Sequence, residues 1–368
     1  HRDILELQLR SIWERSLRKR IIGPDDDFFQ LGGDSLAAAR IFQLIEKHIG
    51  LELPLSSMAE HRTVEAQARL IRGAGWQAVQ SPAVLLQPQG ESRPLFIVPG
   101  AGSDVFALIH LARALAPEIP VYGLQHRGIS GDPQCNRSIE EMADYFLEHL
   151  RRIQPAGPYR LCGTSFGGIV AFEMARRLLG QNQAVEFLGL LDTHGPGYPR
   201  RRKPLSPRLW LTYLARQAFP IGKKDLYTLA NLRAGLSLKL QQWYARASIR
   251  LRGRKTPPLR SRFLYLQEVC FRATRRYAFG SYPGRMHLFT AAEQPRTDLF
   301  EPDECLGWSD LAKSGIDRIP IPGDHGAYLR EPHADELANQ LRQRLAGSRH
   351  TKPVDTHDPR TYHPTMTE

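Results

Sequence analysis

The residues best placed to do chemistry are a serine, an aspartate and a histidine far apart in the chain. Ser165 stands in Gly163-Thr164-Ser165-Phe166-Gly167. Before it runs Tyr159-Arg160-Leu161-Cys162, of strand character, and after it a helix-compatible stretch over residues 169–179. G-x-S-x-G between a strand and a helix puts the serine on a sharp turn with its hydroxyl exposed. So tight a turn has no room for side chains two residues to either side, which accounts for Gly163 and Gly167. The N–H groups opening the helix point at the same spot and suit a developing oxyanion.

A serine hydroxyl is a poor nucleophile without a base, and the base needs an acid to orient it. His325 lies in Pro322-Gly323-Asp324-His325-Gly326-Ala327, a glycine loop just past the last expected strand. Of its competitors, His194 follows Asp192 too closely for the order serine, acid, histidine, and His287 falls inside a strand. Asp192 ends Phe187-Leu188-Gly189-Leu190-Leu191, at the carboxyl edge where open α/β sheets place their chemistry. An acid there also serves as a turn cap. Asp324 is a rival acid, although adjacent residues rarely reach each other's ring. The expected oxyanion donors are the N–H groups of Phe166 and of Ala101, in Pro99-Gly100-Ala101-Gly102.

A second serine stands at a helix start. Asp27-Phe28-Phe29 precedes Leu31-Gly32-Gly33-Asp34-Ser35-Leu36, which opens a helix with apolar Leu36, Ala39, Ile41, Phe42, Leu44, Ile45 and Ile49. Asp34 or Ser35 can cap it. An amphipathic segment over residues 4–13 and a last helix from Val64, capped by Thr63, complete a small helical unit over residues 1–72.

The elements that must position the first group begin near residue 83. Residues 73–92 read as a linker running into an edge strand at residues 83–86. Leu95-Phe96-Ile97-Val98 is continuously apolar, as in a sheet buried on both faces. A helix is expected over residues 104–115, a strand at Val121-Tyr122-Gly123-Leu124, and an amphipathic helix after the capping box Ser138-Ile139-Glu140-Glu141. Strands follow at residues 159–164, 187–191, 286–289 and 316–321, and a closing helix at residues 334–345. Strands alternating with helices predict an α/β fold with a mostly parallel sheet, over residues 93–347. Residues 348–368 are polar and aperiodic, and read as a disordered tail.

Composition bounds the rest. At 368 residues, 42% hydrophobic and 24% charged, the chain suits one large domain and a small one. It has no apolar run of ~18 residues, so no membrane span is expected. His1-Arg2-Asp3 lacks a start Met and a signal peptide, as in a piece of a longer polypeptide. Four dispersed cysteines suggest reduced thiols in a cytoplasmic setting and no metal site. The net charge of +12 is local: residues 199–285 hold 21 Lys and Arg against Asp225 and Glu268, so that segment carries +19 and the remainder −7.

Two resemblances cover most of the chain. The motif around Ser35 resembles the phosphopantetheine attachment site of peptidyl carrier domains from nonribosomal peptide synthetases, over about residues 4–72. It implies a four-helix bundle with 4′-phosphopantetheine esterified to Ser35, and hence a phosphopantetheinyl transferase as partner. Residues 96–102, 163–168, 190–192 and 323–325 together resemble the type I thioesterase domains that end such synthetases. This implies an α/β-hydrolase fold, and transfer of a thioester-bound acyl or peptidyl chain to Ser165 with Asp192 and His325 completing a triad. The order, carrier then thioesterase, is that of a synthetase terminus, so upstream modules are expected partners. The insertion at about 195–285 matches the family's lid, with helix-compatible runs at 206–217 and 226–249. Release by hydrolysis or by cyclisation, coupling of two acyl units, and an editing esterase all use the same site.

The basic segment admits two readings. It is a solvated face, or some of Arg200, Arg201, Arg202, Lys203, Arg252, Arg254 and Lys255 attract the pantetheine phosphate or the Asp25-Asp26-Asp27 loop. A polyanion-binding module is the distant rival, without an aromatic-interleaved RNA motif, zinc spacing or membrane helix to support it.

Overall fold

Leu95-Phe96-Ile97-Val98 shows how the sheet is built. Successive side chains of a strand point to opposite faces, and here both faces are covered: Phe96 and Val98 join one apolar core, Leu95 and Ile97 the other. The computed structural model describes residues 4–19, 21–49, 51, 53–72, 82–128, 135–200, 259–293 and 301–347. Its sheet has seven strands in the order β1-β3-β2-β4-β5-β6-β7. They are β1 (Ala83–Gln87), β2 (Leu95–Val98), β3 (Val121–Leu124), β4 (Tyr159–Thr164), β5 (Val185–Leu191), β6 (Met286–Glu293) and β7 (Ile316–Asp324). Only β1, paired with β3, runs antiparallel. The sheet therefore starts inside the 73–92 stretch, at Ala83, and residues 73–81 lie outside the described residues.

The first helices form the expected small unit: α1 (Ile4–Leu17), α2 (Ser35–Ile49), the single turn α3 (Ser57–Glu60) and α4 (Val64–Arg72). Asp34 is the cap of α2, its Oδ1 accepting from the Ala37 N–H at 2.8 Å, which leaves the Ser35 hydroxyl free for another partner. Thr63 Oγ1 accepts from the Ala66 N–H at 3.1 Å, as expected. Trp13 and Phe28 meet edge-to-face at 5.4 Å in the middle of this unit.

In the α/β part, the residues expected as one helix from Asp104 split into a 3-10 turn, Val105–Leu108, and a short α5 (Ile109–Ala114). Asp104 caps the first turn, its side chain accepting from the Phe106 N–H. Then come α6 (Ile139–Ile153), α7 (Phe166–Gly180), α8 (Leu259–Arg276) and α9 (His333–Gly347). Ser138 Oγ caps α6 through the Glu141 N–H at 3.1 Å, but Glu141 reaches back to the Arg137 N–H, one residue earlier than a capping box requires. The cores sort the helices by face. Residues of α6, α7 and α8 pack on the side of Phe96 and Val98; α5, α9 and the helices of the small unit pack on the other.

Helix α8 is not anticipated by the sequence reading. Its inward residues Leu266, Cys270 and Ala273, continued by Tyr277, are buried at spacings of three and four, the signal of a helix face. The helix-compatible runs at 206–217 and 226–249 lie outside the described residues, as do residues 348–368.

Candidate active site

Register explains how Ser165 and Asp192 meet. Strands β4 and β5 are parallel neighbours, with Thr164 opposite Leu191. The next residues of the two strands are Ser165 and Asp192, side by side at the carboxyl edge. Both take positive φ, 51° and 46°, which is uncommon for residues with side chains. The Ser165 N–H donates to the Leu191 carbonyl at 2.8 Å and the Asp192 N–H to Phe289 at 2.7 Å, so the surrounding strands hold both turns.

The elbow at Ser165 is as tight as its glycines imply. A Cβ on Gly163 would come within 2.2 Å of the Gly167 carbonyl, and one on Gly167 within 2.2 Å of the Val98 carbonyl. The second contact matters for function, because it presses the start of α7 against the strand end that leads into Pro99-Gly100-Ala101. His325 follows the last residue of β7, between Gly323 and Gly326, both at positive φ.

The three side chains form one chain of hydrogen bonds. Ser165 Oγ lies 3.1 Å from His325 Nε2, and His325 Nδ1 lies 2.6 Å from Asp192 Oδ2. With the proton on Nδ1 donated to the carboxylate, Nε2 is left to accept from the serine. Asp192 is 2% exposed, while the imidazole is half-exposed and open to substrate. Asp192 is thus the acid brought to the imidazole, with the rival Asp324 ending β7. His194 sits near, its ring 6.3 Å from that of His325. Burial lowers its pKa first, and the His325 charge lowers it further against the pull of Asp192. His287 is inside β6, stacked on Phe187 at 4.8 Å.

One residue of this site escaped the sequence reading. His126 is buried, its Nε2 3.1 Å from the Pro99 carbonyl and its ring 5.8 Å from that of Phe166. It touches both segments expected to supply oxyanion donors. Burial holds its pKa down at about 4, against the hydrogen bond to Pro99, so the ring is neutral and Nε2–H donates. The available signal was position: His126 comes just after β3, at the same carboxyl edge. On the opposite side of the loop, α8 packs so closely that a Cβ on Gly102 would lie 2.8 Å from the Phe263 carbonyl.

Ser35 meets the α/β part at Asp104, three residues past Ala101. Its hydroxyl donates to Asp104 Oδ1 at 3.1 Å. Around it, Arg113 pairs with Asp27 at 3.0 Å and lies over the Phe29 ring, which faces Phe106 at 5.7 Å between centroids. Asp27 therefore finds its cation in α5. Of the basic residues singled out in the insertion, Arg200 is described and exposed, and the others lie outside the described residues.

The thioesterase domain family matches residues 93–345, and the phosphopantetheine attachment site family matches residues 8–71. The chain belongs to the thioesterase domain family. Ahead of its thioesterase it carries a carrier domain, the order found at the end of nonribosomal peptide synthetases. Indigoidine synthase of Dickeya dadantii is 39% identical over 201 residues, covering 55% of this chain and 13% of its own length. A dimodular nonribosomal peptide synthase of Bacillus subtilis is 28% identical over 308 residues, or 83% of this chain and 12% of its own length. The chain thus spans about an eighth of these two relatives. Among solved structures, a four-domain nonribosomal peptide synthetase bound to AMP and glycine is similar over 93% of this chain and 26% of its own, at TM-score 0.56 and 27% identity. The Vlm2 thioesterase domain bound with a dodecadepsipeptide is similar over 71% and 97%, at TM-score 0.50 and 25% identity.

The covalent prosthetic group of the carrier domain is 4′-phosphopantetheine. The residues present fit it. Ser35 offers a part-buried primary hydroxyl at the first residue of a fifteen-residue helix, where backbone N–H groups and the helix dipole favour a phosphate. None of the four cysteines is in a disulfide. Among the described residues no helix is long and apolar enough to cross a membrane.

Proposed function

We propose that this thioesterase releases an acyl or peptidyl chain from the carrier through an ester on Ser165. The observation that carries the reading is the unbroken path from Ser165 Oγ through His325 to Asp192, at 3.1 Å and 2.6 Å, in a thioesterase preceded by its own carrier. When bound at Ser35, the pantetheine arm supplies the thiol on which the chain arrives as a thioester.

His325 Nε2 takes the hydroxyl proton as Ser165 Oγ attacks the carbonyl carbon. The developing oxyanion lies at the N–H groups of Phe166 and Ala101; losing one such donor typically costs ~10²–10³ in turnover. As the carbon–sulfur bond breaks, His325 returns its proton to the leaving sulfur. Water, or a nucleophile within the chain, then gives a proton to Nε2 and attacks the ester, and Ser165 recovers its hydroxyl. Asp192 keeps Nδ1 protonated throughout and stabilises the imidazolium. The depsipeptide on the Vlm2 thioesterase supports a peptidyl chain as the substrate class.

The test is release from the loaded carrier. With Ser165→Ala, intact mass is expected to show the acyl chain retained on Ser35 while wild type discharges it. Discharge at the wild-type rate would refute the role of Ser165.

A further inference from the structure

Asp104 is the residue on which the carrier rests its serine. It is 3% exposed, and its Oδ1 accepts from both the Phe106 N–H, at 3.0 Å, and the Ser35 hydroxyl, at 3.1 Å. Its Oδ2 is buried without a hydrogen-bond partner, and so is Nε2 of Gln125, whose Oε1 accepts from the Val105 N–H at 3.1 Å. A buried carboxylate with one orphaned oxygen depends on the few donors it has. Burial accordingly pushes the Asp104 carboxyl up to about 6, and the Ser35 hydrogen bond is the largest influence holding it down.

The other contacts between carrier and thioesterase do not involve Ser35 Oγ. Arg113 pairs with Asp27, Phe29 faces Phe106, and the Arg62 guanidinium donates to the Leu86 carbonyl at 2.7 Å. None of these three includes the Ser35 hydroxyl, whereas the bond to Asp104 does. When the arm is attached, Ser35 Oγ attacks the phosphorus of coenzyme A that bears the pantetheine. An O–P bond forms, the bond to adenosine 3′,5′-bisphosphate breaks, and the hydroxyl proton leaves to solvent. The resulting phosphodiester has no proton to donate and carries a negative charge. Held against a carboxylate in a site with little water, that charge repels.

We propose that Asp104 distinguishes the bare Ser35 hydroxyl from the phosphopantetheinylated one, parking the unmodified carrier on the 104–113 surface and releasing it once the arm is in place. The inference rests on Ser35 as the attachment residue. It assigns to Asp104 no part in acyl transfer. The parked state is the one in which the carrier has nothing to deliver.

Hydrogen–deuterium exchange on the full chain tests it, with Ser35 bare and after treatment with coenzyme A and a phosphopantetheinyl transferase, conversion being followed by intact mass. Amides of residues 27–36 and 104–113 are expected to exchange roughly tenfold faster after modification, the scale of losing one hydrogen bond to a charged group. In Asp104→Asn the amide can accept from the hydroxyl and donate to the phosphate, so the two forms should differ by no more than about twofold. Arg113→Glu removes the pairing with Asp27 and marks the undocked rate in both forms. The proposal is overturned if modified wild type stays as protected as bare wild type. It is equally overturned if Asp104→Asn keeps the tenfold difference, or if bare wild type already exchanges at the Arg113→Glu rate. Absence of a mass gain on Ser35 would instead overturn the attachment residue, and this inference with it. Repeating the comparison in Ser165→Ala separates it from the release chemistry, since exchange at these amides needs no turnover.

Discussion

The Ala291 N–H donates to Asp192 Oδ1 at 3.2 Å, which fixes the carboxylate so that its other oxygen, Oδ2, faces His325. A carboxylate pinned by the backbone of β6 orients the imidazole better than one free to rotate. Asp192→Asn should preserve the fold and still fail, because an amide that donates to Nδ1 selects the wrong tautomer. A fall in kcat of ~10⁴ is expected, read with an acyl thioester substrate. Asp324→Asn should stay within a fewfold of wild type in the same assay.

The glycine at 167 gives a steric prediction. Gly167→Ala puts a methyl group 2.2 Å from the Val98 carbonyl and 2.5 Å from that of Pro99. Neither acceptor can move without shifting the Pro99-Gly100-Ala101 loop. Overpacking of this kind costs about 1–3 kcal/mol or more. Thermal unfolding should fall by several degrees, and turnover should drop with it because both donor segments are displaced. Gly197→Ala, where a Cβ meets nothing within 4 Å but φ is 72°, should show only the milder cost of backbone strain.

His126 gives a pH prediction. Its pKa is about 4 when folded, below the ordinary 6.5, so the unfolded chain binds more protons through this window. Stability contributed by this residue should therefore be complete above pH 6.5 and decline as pH falls toward 4. His126→Gln, which retains an N–H donor for Pro99 but does not titrate, should flatten that part of the profile, with a difference on the order of 3 kcal/mol at the acid end. Denaturant unfolding of the two proteins between pH 4 and 7 measures it.

Buried Arg160 gives a stability prediction. In β4 its guanidinium is 2% exposed and holds Glu186 through two hydrogen bonds, at 3.0 Å and 3.2 Å, with a third to the Arg93 carbonyl. Arg160→Ala would leave the buried Glu186 to Arg93 alone. Removing one partner of such a pair typically costs 3–5 kcal/mol. A shift of the denaturant midpoint with an unchanged slope would identify lost stability without a change in the unfolded state.

These residues mark what could be read from the sequence. The strand ends carrying Ser165, Asp192 and His325 were legible because continuous apolar runs stop at glycines and polar residues, and the chemistry follows from the stop. Ser35 was legible from its motif, but its contact with Asp104 joins residues 69 apart through a docking of two folded units, which no local pattern encodes. Asp34 and Ser35 were equivalent as caps until the backbone of α2 chose between them. The burial of Arg160 and His126 depends on partners distant in the chain, Glu186 and Arg93 for the one and Pro99 and Phe166 for the other. Helix α8 carries arginines at 260, 262, 272, 275 and 276, which mask a short apolar period at Leu266, Cys270 and Ala273.

Strand β1 ends the sheet, and an edge strand offers its unpaired backbone to any neighbouring chain. In this molecule the Arg62 side chain donates to the Leu86 carbonyl of that strand. The carrier thereby acts as a cover over a sticky border. A shortened protein beginning at residue 82 would present that border bare, and is expected to self-associate at concentrations where the full chain stays monodisperse.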